Sequence, residues 1–109
     1  MANETILVVD DVEEIRENLA MVLELELGLT IRKADNGKVA MEMLARYPID
    51  LMVTDILMPE MDGITATTKI RQQFPDCQVL VLTSFAEDQR VPDAIQAGAV
   101  GYLLKDVLK

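Results

Sequence analysis

The chain has 109 residues, enough for one compact domain and too few for two. Half of them are hydrophobic, which excludes a disordered chain, and only 4% are aromatic, so the core must be aliphatic. With 19 acidic against 10 basic residues the net charge is −9, which argues against this domain binding nucleic acid by itself, since phosphate contacts need Lys and Arg.

Thr5–Val9 is a nearly continuous aliphatic run, as expected of a parallel strand covered on both faces, and it ends in Asp10 and Asp11. Ile15, Leu19, Val22 and Leu23 then recur at helical spacing, with Gly28 as a C-terminal stop. Leu29–Ala34 reads as a second strand. Arg32 and Lys33 interrupt it, which predicts a place at the sheet edge. Asn36 and Gly37 lead into a second helix carrying Val39, Ala40, Met43 and Leu44. Leu51–Thr54 is the third strand and runs into Asp55. Ile64, Thr67, Ile70 and Phe74 mark a third helix, with Asp62 as its N-cap and Pro75 just beyond. Val79–Leu82 is a fourth strand, followed by Thr83 and Ser84. Val91, Ala94 and Ile95 form a fourth helix closed by Gly98. Pro is tolerated at a first helical position but not further in, so this helix is expected to start near Val91 or Pro92, or to be distorted. Val100–Leu104 is the fifth strand, ahead of Lys105.

Strictly alternating strands and helices specify an α/β fold with a doubly wound parallel sheet and right-handed crossovers. The whole of 1–109 reads as a single domain ending just after the fifth strand. The few residues after Lys105 are too short for a helix over that end of the sheet. The expectation is a truncated C-terminal helix, an exposed apolar stripe and a less stable domain, for which a homodimer would be one remedy.

In a parallel α/β sheet, ligands bind beyond the carboxyl ends of the strands. Asp10, Asp11, Asp55, Thr83, Ser84 and Lys105 all fall there. Any one of them could be an ordinary loop residue or helix cap. Together they are harder to dismiss, because three carboxylates in one place are costly unless a cation compensates. Hard oxygen ligands of this kind suit Mg²⁺, while Lys105 offers a positive charge and Thr83 a hydroxyl donor to a phosphoryl oxygen. Histidine is absent, which removes imidazole catalysis. The lone Cys77 reads as a buried, small apolar residue. No apolar run approaches the ~20 residues of a membrane helix, and the start Met-Ala-Asn-Glu shows no secretory signal. A cytoplasmic location is expected.

Leu51-Met-Val-Thr-Asp55-Ile-Leu-Met-Pro-Glu-Met-Asp-Gly63 resembles the phosphoacceptor region of response-regulator receiver domains. So do Ile6-Leu-Val-Val-Asp-Asp11, Val79-Leu-Val-Leu-Thr-Ser84 and Ala97-Gly-Ala-Val-Gly-Tyr-Leu-Leu-Lys-Asp106, the last most like receivers joined to LuxR-type DNA-binding domains. The resemblance implies a flavodoxin-like strand order 2-1-3-4-5. It implies that Asp55 takes a phosphoryl group from a sensor histidine kinase or a small acyl-phosphate donor. Asp11, Asp55 and the backbone carbonyl of Leu57 would hold Mg²⁺ directly, and Asp10 through water. Lys105 would pair with the phosphoryl group. Thr83 and Tyr102 would be the switch pair, and an output DNA-binding domain outside this chain would be the recipient of the signal.

The chain departs from the family at Asp106, where many receivers have Pro, and at Pro92, on the face expected to report phosphorylation. Leu57 and Phe85 are apolar, so neither can position an attacking water, and slow loss of the phosphoryl group is expected. Two other readings are weighed against the switch. One is an interaction module on the same fold that works without phosphate. The other is an enzyme or cofactor binder, but the run Asp10-Asp-Val-Glu-Glu14 is not the Asp-x-Asp of a phosphatase, and no glycine-rich phosphate loop appears.

Overall fold

Five strands and four helices alternate along the chain in the computed structural model, which describes residues 4–56, 61–84 and 88–105. Strands β1 (Thr5–Val9), β2 (Thr30–Ala34), β3 (Leu51–Asp55), β4 (Gln78–Thr83) and β5 (Gly101–Leu104) form one parallel sheet in the order β2-β1-β3-β4-β5. The helices are α1 (Glu13–Leu27), α2 (Gly37–Arg46), α3 (Gly63–Gln73) and α4 (Arg90–Ala97). The chain winds outward from β1 to β2, then returns past β1 to build β3, β4 and β5. Strand order therefore reverses between β1 and β3, and the carboxyl ends of those strands open a crevice.

Period-two alternation along the strands divides the core in two. On one face Leu7, Val9, Met52, Val79 and Val81 pack with Ala40 and Leu44 of α2, Ala66 and Ile70 of α3, and Val91 and Ala94 of α4. On the other, Ile6, Val8, Val53 and Leu82 meet Leu19 and Leu23 of α1. Among the described residues α1 alone covers this second face. Leu103, in register with Leu82, stays 38% exposed there. Val22, expected in the buried stripe of α1, is 49% exposed, because the contact narrows to Leu19 and Leu23.

The punctuation residues act as their chemistry predicts. Asn36 and Asp62 cap α2 and α3, accepting hydrogen bonds from the backbone N–H groups of Val39 and Thr65 at 2.9 and 2.7 Å. Gly28 closes α1 at φ 65°, a left-handed conformation that favours glycine. α4 begins at Arg90, with Pro92 third in the helix rather than first. That costs no hydrogen bond, since the first four N–H groups of a helix have no partner within it. β2 lies at the sheet edge as its charges foretold, and the Arg32 guanidinium stacks over the Tyr47 ring, 3.5 Å from its centroid. Val100 falls outside β5 and is exposed.

Candidate functional site

The site lies at the crevice between β1 and β3, and each of its groups sits where a strand stops. Asp10 follows β1, is fully buried, and accepts a hydrogen bond at Oδ1 from the Val12 N–H at 2.8 Å. Asp11 follows it and is exposed. Asp55 is the last residue of β3 and is 8% exposed. Lys105 follows β5 and reaches across the strand ends, its Nζ 2.9 Å from Asp55 Oδ2 and 3.2 Å from Asp10 Oδ2. Burial works against the Lys105 charge. The two carboxylates outweigh that penalty and hold the ammonium above its ordinary pKa.

Burial also raises the Asp10 pKa, the Val12 N–H opposes the rise, and the Asp55 charge adds to it. Asp10 Oδ2 is buried and makes no hydrogen bond among the described residues, although the Lys105 charge lies nearby. Asp10, Asp11 and Asp55 each offer a carboxylate oxygen, and these oxygens lie within 4.8 Å of one another. Among the described residues three carboxylates thus meet one ammonium, with the Arg90 guanidinium in the adjoining cleft. This donor set, hard oxygens with one buried oxygen lacking a hydrogen bond, fits a divalent cation such as Mg²⁺. Leu57, named above as a carbonyl ligand, lies outside the described residues, as do Phe85 and Asp106.

Thr83 ends β4 on the same rim and is almost fully buried. Its hydroxyl donates a 2.9 Å hydrogen bond to Asp88 Oδ2. Arg90 clamps Asp88 from the other side. Its Nη2 lies 2.6 Å from Oδ2, while its Nε and its backbone N–H both donate to Oδ1 at 2.9 Å. The Arg90 bonds come first in holding the Asp88 carboxyl well below the usual carboxylate range, and the Thr83 hydroxyl adds to them. Asp55, Thr83, Asp88, Arg90 and Lys105 line one cleft of about 230 Å³. Tyr102 stands on β5 in register with Val81, on the face that α4 helps to cover, and is 43% exposed.

The structure therefore gathers Asp10, Asp11, Asp55 and Lys105, and places Thr83 beside them but engaged elsewhere. Sequence reasoning missed Asp88 and Arg90, which occupy a stretch with no periodic signal. It gave no role to Gly63, which closes the quoted phosphoacceptor segment and whose N–H donates to the Ile56 carbonyl at 2.7 Å. A Cβ at Gly63 would collide with the Asp55 carbonyl oxygen, so glycine here lets α3 close against the end of β3.

Comparison with known proteins points the same way. A sequence model described as the response regulator receiver domain matches residues 6–109. The chain is 38% identical over 101 residues to the transcriptional regulatory protein LiaR of Bacillus subtilis, covering 92% of this chain and 48% of that one. It is 38% identical over 104 residues to the chemotaxis protein CheY of Halobacterium salinarum, covering 95% and 86% of the two. The chain thus spans about half the length of the transcriptional regulators it matches but most of the chemotaxis protein. Among solved structures, the response regulator TrrA of Thermotoga maritima, in complex with Mg²⁺ and BeF, superposes with a TM-score of 0.82 at 33% identity, over 93% of this chain and 85% of that one.

Proposed function

The chain belongs to the response regulator receiver domain family, whose members are signalling switches and not turnover enzymes, and from that premise we propose that Asp55 is its phosphoacceptor. An Asp55 carboxylate oxygen attacks the phosphorus of a phosphohistidine on a sensor histidine kinase, or of a small acyl phosphate. A bond from Asp55 to phosphorus forms as the donor's bond to phosphorus breaks, and the electron pair of that bond leaves with the donor. Asp11 and Asp55, with the Leu57 carbonyl, would hold Mg²⁺ directly, and Asp10 through water. When bound, the cation neutralises charge on the transferring group. Lys105, already on Asp55, pairs with a phosphoryl oxygen, and Thr83 turns to donate to another. Tyr102 then follows into the space Thr83 leaves and changes the surface of α4 and β5.

The observation that carries this reading is the Lys105 ammonium spanning Asp55 and Asp10, with the Asp11 carboxylate gathered beside them. Homology to LuxR-type regulators such as LiaR supports an output DNA-binding domain as the recipient, in a two-component system acting in the cytoplasm. Intact-mass measurement after acetyl phosphate and Mg²⁺ tests the acceptor. Wild type should gain one phosphate-sized increment and Asp55→Asn none; a gain on both proteins would sink the assignment. A module that works without phosphate is the alternative, and it predicts no Mg²⁺-dependent response to beryllofluoride.

A further inference from the structure

We infer that Asp88, held by Arg90, is a positioning residue that keeps Thr83 in its resting orientation, so that the switch turns only when a phosphoryl oxygen displaces the Asp88 carboxylate from the Thr83 hydroxyl. This rests on the reading of Asp55 as phosphoacceptor, and it names the group against which phosphorylation must compete.

Thr83 is 2% exposed, and its hydroxyl donates to Asp88 Oδ2 at 2.9 Å. A buried hydroxyl gives up a partner at low cost only when another acceptor replaces it. A phosphoryl group on Asp55, in the same cleft, supplies such an acceptor. The exchange keeps the number of hydrogen bonds constant, so its equilibrium depends on how firmly each acceptor is held. Asp88 is held firmly. Its side chain is 6% exposed and takes three bonds from Arg90, two from the guanidinium and one from the backbone N–H. The paired guanidinium prevents Asp88 from following Thr83, so the hydroxyl must leave a fixed acceptor. An equilibrium between two orientations shifts only by the difference in free energy between them, and this clasp contributes to the resting side alone.

A plainer role for Asp88 is to start α4, since Oδ1 accepts the Arg90 backbone N–H. The two roles use different oxygens. Oδ1 serves the helix start, and Oδ2 serves Thr83 and the Arg90 Nη2. Asp88→Asn can retain the first oxygen while replacing the second with an NH₂ group, which cannot accept from Thr83. Asn also starts helices as well as Asp does.

The test is the apparent Kd for beryllofluoride at saturating Mg²⁺, followed by NMR titration of the 109-residue chain. Asp88→Asn should bind roughly fivefold more tightly than wild type, the worth of about one net hydrogen bond. On a Thr83→Val background the same substitution should gain clearly less, keeping only the part that comes from the lost charge. The double-mutant comparison matters because removing a negative charge from the cleft would by itself favour an anion, and that effect would persist without the Thr83 hydroxyl. Arg90→Gln loosens Asp88 but also removes a positive charge from the cleft, so its effect is compared on the two backgrounds. Relative to each parent, the substitution should leave binding tighter with Thr83 present than in Thr83→Val. Unchanged or weaker binding by Asp88→Asn overturns the inference, and so does a gain of the same size in Thr83→Val. If Asp88→Asn fails to fold, Arg90→Gln decides: an effect more favourable to binding with Thr83 present than in Thr83→Val supports the clasp, and an equal effect on both backgrounds overturns it. Failure of wild type to bind beryllofluoride with Mg²⁺ would instead remove the phosphoacceptor reading, and this inference with it.

Discussion

Cys77 and Lys105 show at the residue scale how one variable, burial, leads to opposite chemistry. Lys105 is largely buried but keeps its charge, because Asp55 and Asp10 stand against its ammonium. Cys77 is buried without an opposing group of that strength. Burial pushes its thiol up to about 11, although the Arg71 charge draws it part of the way back. The thiol should therefore resist a thiol-specific reagent in native protein at pH 8 and react promptly once urea unfolds the chain. Rapid native labelling would show that the site opens locally. The sign of the pH effect follows from linkage. A group whose folded pKa is raised contributes stability that is complete below its unfolded value, about 9, and lost as the pH rises through about 11. Denaturation midpoints of Cys77→Ala should lack that part of the alkaline loss seen in wild type.

The elements obey their terminal residues more closely than their interiors. The cap at Asp62 and the stop at Gly28 stand where the sequence placed them, and Asn36, read as the entry to α2, proves to be its cap, because each depends on a bond or dihedral of a few adjacent residues. Nothing lies within 4 Å of a Cβ built on Gly28, so a substitution there meets only a backbone penalty. Gly28→Ala should cost about 1 kcal/mol in urea denaturation, with an unchanged slope. A cost near zero would mean that the end of α1 frays to relieve the strain. The fourth helix was harder to read. Pro92 suggested a late or distorted start, whereas α4 places it third, among N–H groups that have no helical partner in any case.

At the scale of the molecule, the sheet order brings Asp55 to the adjacent pair Asp10 and Asp11, from which chain distance alone would keep it apart. Each crossover helix delivers its next strand with the carboxyl end pointing the same way, so all the charges gather at one edge. Folding therefore works against local repulsion that Lys105 relieves only in part. A divalent cation should then stabilise the whole domain by mass action, by about 1.4 kcal/mol when Mg²⁺ is at ten times its Kd. Thermal melts with and without Mg²⁺ read this directly. Wild type should melt higher with the ion, Asp11→Asn should lose most of the increase, and EDTA should reverse it. An equal rise in Asp11→Asn would place the cation elsewhere. The other large-scale feature is uneven cover. Three helices pack on one sheet face, and among the described residues only α1 packs on the other, leaving Leu103 and Val22 in contact with water.

The sequence by itself determined the alternation of elements, the parallel sheet, the edge position of β2 and the candidate residues Asp10, Asp11, Asp55, Thr83 and Lys105. These follow from period, capping chemistry and the rule that strand ends carry ligands, all legible over a few residues at a time. Only the tertiary structure decided which of those groups touch. It put Lys105 between Asp55 and Asp10, turned the Thr83 hydroxyl to Asp88, and set Gly63 against the Asp55 backbone. Such pairings depend on distances between segments brought together by packing, and hydrophobic period carries no record of them. Asp88 and Arg90 were invisible for the same reason: their importance lies in facing Thr83, and nothing in a short polar stretch says what it will face.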